Sequence, residues 1–302
     1  MFESRKHCVN RLFITFAVVL FATGLNTASA QSRALSKQEF PRLGGMQIGL
    51  STYPDGVANP EYQAEIAKLD YAVINRADRN LTEYAKQIKA LNPNIVLAKY
   101  QNIAETRLND NFYNTPMREK LDSEKGPNNT NAHDWWLRDA NGKRLELWPN
   151  TYRVNVSEYV KPDANGQRWP QWRAKFEYDL NMKDPVWDGW YMDLTTWEPK
   201  WKGGPEGDFS GGKVSKEEHN RAYRRAHRAY WEEIRKLTPG RLILVNHNWN
   251  DFEQDGKLKL GEYAGANGGY LEYKMNYANN ARDRKKIYRW YRLTMSYYVE
   301  HK

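Results

Sequence analysis

Short apolar runs bounded by turn residues alternate along this chain with longer segments whose apolar positions recur every three or four residues. The first run covers 46–53 and is closed by Pro54-Asp55-Gly56. A short helix is predicted over 61–69 and a second strand over 71–76. Leu81, Tyr84, Ile88 and Leu91 then mark one face of a helix over 81–91, which Asn92-Pro93-Asn94 stops. A third strand follows over 95–101. The same rhythm returns later: a fourth strand over 152–157, a helix over 169–181, a fifth strand over 189–193 and a sixth over 242–246. Between the last two, Ser215-Lys216-Glu217-Glu218 matches a capping box and opens a helix to Leu237. A seventh strand over 269–273 and a helix over 281–298 complete the pattern. Strands alternating with helices imply a parallel sheet covered by helices. The expected fold is therefore α/β, a (β/α)8 TIM-type barrel lacking its last strand in this chain.

Two stretches break the rhythm. Residues 102–151 contain Gly126-Pro127-Asn128-Asn129, the pair Trp135-Trp136, and Asn141-Gly142 between two apolar runs, which signals a hairpin. A loop of this length in a compact domain usually serves function, so it is expected over the catalytic face, with Trp135 or Trp136 at the rim of a cleft. The second stretch, 195–212, is rich in Gly, Pro and Trp.

The N-terminus reads as a leader rather than as structure. Arg5, Lys6 and Arg11 precede an apolar run over 12–25, and Ala28-Ser29-Ala30 supplies small residues for cleavage. Residues 1–30 are thus expected to be a signal peptide cleaved after Ala30, residues 31–302 one barrel domain, and the product secreted or periplasmic. No other segment is apolar enough for membrane insertion. The single cysteine, Cys8, lies in the leader, which rules out disulfides and thiolate chemistry in the mature chain. The net charge of +9 is compatible with an anionic polymer, but the cations are interleaved with glutamate on helices, as in 221–236, and read as a solvated surface. An exported chain without a binding motif is not expected to meet nucleic acid, and the oligomeric state is open.

The chemistry-bearing residues lie at strand ends. Alternation puts Tyr191 and Asp193 on one side of the fifth strand and Trp190 and Met192 on the other. Asp193 closes that strand, where it could act on substrate or cap the loop through backbone amides. Asp188, at the opposite end, reads as a turn residue. Glu272 follows Gly268-Gly269-Tyr270-Leu271, and a carboxyl in such an apolar run is either ion-paired or used. Asn246 and Asn248 end the sixth strand and suit sugar hydroxyls. Aromatic residues make up 14% of the chain. Tyr53, Tyr100, Trp135, Trp136, Trp148, Trp197, Trp201 and Trp249 fall after strands, where they could stack on sugar rings or simply pack. His133, His219, His227 and His247 lack ligand spacing, so neither a metal nor a cofactor is expected. No nucleophile elbow, phosphate loop or dinucleotide fingerprint is present.

Trp187-Asp188-Gly189-Trp190-Tyr191-Met192-Asp193, Leu244-Val245-Asn246 and Gly268-Gly269-Tyr270-Leu271-Glu272, with the 136–142 and 154–156 stretches, resemble the hypothetical bacterial glycoside-hydrolase-like TIM-barrel family. The resemblance implies active-site carboxylates at Asp193 and Glu272. The expected function is a secreted glycosidase that cleaves a poly- or oligosaccharide with two carboxylates. Asn246, Asn248, Tyr191, Trp197, Trp135, Trp136 and Tyr53 would contact the sugar. The alternative is a non-catalytic glycan-binding or cell-envelope scaffold on the same barrel.

Overall fold

A computed structural model describes residues 44–48, 55–75, 78–124, 134–139, 141–195, 199 and 214–247, with the strand segments 253–254, 257–258 and 268–270. All belong to the compact unit Arg42–Lys302. The strands, in chain order, are β1 (Gly44–Ile48), β2 (Tyr71–Asn75), β3 (Val96–Gln101), β4 (Glu105–Arg107), β5 (Glu146–Trp148), β6 (Thr151–Arg153), β7 (Gly189–Thr195), β8 (Leu242–His247), β9 (Glu253–Gln254), β10 (Lys257–Leu258) and β11 (Gly268–Tyr270). The helices are α1 (Pro60–Ala67), α2 (Leu81–Leu91), α3 (Asn114–Ser123), α4 (Trp169–Glu177) and α5 (Lys216–Leu237). The leader and the helix expected over 281–298 lie outside the described residues.

Six strands form one sheet in the order β1-β2-β3-β7-β8-β11, and each adjacent pair is parallel. The alternating pattern thus translates into the parallel α/β arrangement it implies. Among the described residues the sheet runs from β1 to β11 without closing.

One predicted strand is misplaced. The segment expected as the fourth strand contributes β6 instead to a separate sheet, ordered β4-β6-β5, in which both pairings are antiparallel. The cause is the connection. Only Pro149 and Asn150 join β5 to β6, with Asn150 left-handed at φ 61°. Two residues make a hairpin, which commits β6 to β5 as an antiparallel neighbour, and β4 takes its other edge. The place beside β3 goes to β7.

Alternation divides the large sheet into two faces. Leu97, Trp190, Met192, Ile243 and Val245 join the core that also contains Trp169, Ala174, Tyr230, Trp231 and Ile234 of α4 and α5. Val73, Ala98 and Tyr191, with Tyr71, Tyr100 and Leu244, pack together as a second cluster.

Close strand spacing needs Gly189 at the start of β7. A Cβ there would lie 2.9 Å from Leu242 Cβ and 3.1 Å from the Leu242 carbonyl oxygen. Asp188, just before it, acts structurally: its carboxylate accepts the Leu97 amide at 2.8 Å and pairs with Lys89 at 2.7 Å. The Asn141-Gly142 hairpin forms as expected, with Gly142 at φ 77° and Arg138 bridging Arg144. Ser215 caps α5 by accepting the Glu218 amide at 3.3 Å.

Candidate active site

Asp193 is the centre of a cluster built from three adjacent strands. The register sets Tyr100 of β3 and Leu244 of β8 on either side of Tyr191, so Tyr100, Asp193 and Asn246 fall on the same face. The Tyr100 and Tyr191 rings stack with centroids 5.9 Å apart. The Tyr100 hydroxyl donates to Asp193 Oδ2. Asn246 Nδ2 donates to Oδ1 at 2.8 Å, as does the Leu194 amide, also at 2.8 Å. Burial and, after it, the Asp193 charge push the Tyr100 hydroxyl far above its ordinary range, so it stays a proton donor.

The backbone beside Asp193 is strained. Leu194 sits at φ 53°, a left-handed conformation that costs a non-glycine residue on the order of 1 kcal/mol. The pairing of β7 with β8 shifts register between Met192 and Thr195. Such a bulge re-aims side chains at strand ends. Tyr223 of α5 holds it in place, its hydroxyl donating to the Leu194 carbonyl at 2.7 Å.

A second carboxyl lies near enough to feel the charge of Asp193. Glu105 opens β4, four residues beyond the end of β3, and stands opposite Arg153 of β6. Its Oε2 is buried and has no hydrogen-bond partner among the described residues. Burial first, then the charge of Asp193, push the Glu105 carboxyl up to about 7 against the opposing pull of Arg153 and Arg107. Arg153 is itself buried and donates to the Pro199 carbonyl, which ties β6 to the chain beyond β7.

Of the expected site residues, the structure brings together Asp193, Tyr191 and Asn246. Trp135 and Trp136 are corrected: both are fully buried, not at a cleft rim. Trp135 meets Trp169 edge-on at 6.3 Å and Trp136 meets Tyr152 at 6.4 Å, while their ring nitrogens donate to Lys161 O and Asp122 Oδ1, each at 3.0 Å. Trp135 packs between the excursion and α4, and Trp136 lies within the excursion against Tyr152 and the Arg144 guanidinium, so neither stands at a cleft rim. Tyr100 is likewise a strand residue rather than a loop platform. Glu272, Asn248, Trp197 and Tyr53 lie outside the described residues. Glu105 and Arg153 were missed. The available signal was a lone carboxylate between Ile103-Ala104 and Thr106 just past a strand end, the same kind of signal that singled out Glu272. Among the described residues no group of three or more His, Cys, Asp or Glu side chains could hold a metal ion.

The family model of hypothetical glycosyl hydrolase family 15 matches residues 89–300, which include β3, β4, β7 and β8. The chain belongs to this family. Among solved structures, the glycoside hydrolase domain of PelA from Pseudomonas aeruginosa is 15% identical, with 77% of this chain and 68% of that one covered at a TM-score of 0.44. The GH36 alpha-galactosidase AgaB from Geobacillus stearothermophilus is 13% identical, with 84% and 33% covered at a TM-score of 0.50. The family member described here thus spans about a third of the alpha-galactosidase's length. At 13% identity the likeness to the alpha-galactosidase concerns fold alone. No curated protein matches the chain.

Proposed function

We propose that this protein is an exported glycoside hydrolase on a (β/α)8-type barrel, cleaving a poly- or oligosaccharide with carboxyl groups at the C-terminal ends of its strands. The observation that carries the proposal is the Asp193 carboxylate. It is held by Tyr100, Asn246 and the Leu194 amide, and its charge reaches a second, half-buried carboxyl. Chemistry in folds of this type is done at that end of the sheet, and two carboxyls in unlike surroundings suit glycosidic cleavage. Asp193 takes the nucleophile role, and Asn246, already bonded to it, orients it. Glu272 is the sequence's candidate for the acid. Membership of a glycosyl hydrolase family supports a carbohydrate substrate, and the basic-apolar leader supports export.

The test is a panel of polysaccharides and aryl glycosides, with reducing-sugar and phenol release as readouts for the wild type and Asp193→Asn. Release by the wild type and its loss in Asp193→Asn are expected. Glycan binding without release would favour a scaffold protein instead.

A further inference from the structure

We infer that Glu105 is the general acid of this site, the group that hands its proton to the departing sugar while Asp193 meets the anomeric carbon. The inference deepens the glycosidase reading and rests on it. Its basis is where the chain puts Glu105. Strand register sets Gln101 opposite Met192, so the chain leaving β3 emerges beside Asp193. Val154 N then donates to Ala104 O at 2.9 Å, and the antiparallel pairing of Glu105 with Arg153 continues the same seam between β4 and β6. Arg153 reaches across to Pro199, six residues beyond Asp193. Glu105 is therefore held, just after β3 leaves the side of Asp193, against a strand that is itself tied to the chain beyond β7.

The chemistry of its surroundings agrees. Glu105 Oε2 is buried with no described partner, and the carboxyl, raised to about 7 by burial and by Asp193, holds a proton near neutral pH. An acid works best with its pKa near the working pH. In the first step the Glu105 O–H bond breaks and the proton passes to the glycosidic oxygen. The bond from that oxygen to the anomeric carbon opens, leaving its electron pair on oxygen, as an Asp193 oxygen bonds to the carbon. A water then attacks the anomeric carbon, the ester bond returns its electron pair to Asp193, and the water's proton goes to Glu105. Both groups are restored.

The experiment compares wild type, Glu105→Gln and Glu272→Gln on 2,4-dinitrophenyl and 4-methoxyphenyl glycosides of glucose, galactose and N-acetylglucosamine in both anomers. Dinitrophenolate leaves unaided; methoxyphenol needs a proton. Glu105→Gln is expected to lose about 10²–10⁴-fold on the methoxyphenyl series and to stay within about tenfold on the dinitrophenyl series. The fall in wild-type kcat/KM above about pH 7 should vanish in Glu105→Gln. Equal losses on both series, persistence of that fall in Glu105→Gln, or the leaving-group pattern appearing in Glu272→Gln alone would overturn the assignment. A wild type that cleaves both series beside an unimpaired Glu105→Gln removes the assignment only. A wild type that cleaves neither removes the glycosidase reading and the assignment with it.

Discussion

Glu177 and Glu105 are both carboxyls withdrawn from water near β3, and their neighbours treat them in opposite ways. Glu177, on α4, lies behind the helix-covered face. It accepts hydrogen bonds from Arg173 at 3.0 Å, Tyr113 at 2.8 Å and Asn181 at 2.7 Å, with Lys99 at 3.9 Å. Burial alone would raise its pKa, yet Lys99, Arg173 and these bonds hold it below the usual glutamate range. Arg173 in turn donates to Gln101 at 2.8 Å, locking α4 onto β3. Glu105 is half-buried within reach of another carboxylate's charge, keeps one buried oxygen without a described partner, and is raised instead. Burial therefore does not mark a functional carboxyl. What separates the two is whether the neighbours satisfy the charge. Glu177 is satisfied and structural; Glu105 is left with a proton to give.

The largest expected effect is on chemistry. Asp193→Asn should lower glycoside hydrolysis by on the order of 10⁴-fold, equivalent to about 5 kcal/mol of barrier, with the melting temperature nearly unchanged. A collapse of the fold instead would make Asp193 a structural residue like Glu177.

Glu177→Gln should do the reverse, costing about 3–5 kcal/mol of stability because Arg173 and Lys99 are left as buried cations. Denaturant unfolding measures it. A loss below about 1 kcal/mol would erase the contrast between the two glutamates.

Gly189→Ala tests the sheet that carries Asp193. The new Cβ would meet Leu242 at 2.9 Å, and relieving that contact should cost about 1–3 kcal/mol. Wild-type stability in the same unfolding experiment would show that β7 and β8 are less closely set.

The smallest effect sharpens the comparison through pH. Glu105 has a folded pKa near 7, above an unfolded value of about 4.3. The folded chain therefore binds the extra proton between these values, and this group's stabilising contribution falls as pH rises from about 4.3 through 7. Glu105→Gln removes the penalty, so its melting temperature relative to wild type should rise by about 5 °C between pH 5 and pH 8. A difference that is flat or falls with pH would contradict the sign.

Much of this arrangement is legible in the sequence, and the failures have physical causes. Period-two alternation put Tyr191 and Asp193 on one face because side chains along a strand point to either side regardless of the fold around them. The helix over 81–91 matched α2 because apolar spacing and a proline stop coincide there. Tyr152–Arg153 looked like another strand of the large sheet because strand pattern carries no information about the partner; the two-residue turn before it does. Trp135 and Trp136 looked like sugar platforms because an aromatic pair in a loop has the same signature whether it faces a cleft or fills a core. Glu105 escaped because its partner Asp193 is far away in sequence, and only the pairing of β3 with β7 brings the two together.

The most direct test of the contrast is a ¹³C-carboxyl NMR titration of Glu105 and Glu177 in wild type and in Asp193→Asn. Glu105 should titrate near pH 7 in wild type and move downward once Asp193 is neutral, while Glu177 stays below the usual glutamate range in both. A Glu105 midpoint in the ordinary range of about 4–5, or one that does not respond to Asp193→Asn, would contradict the account.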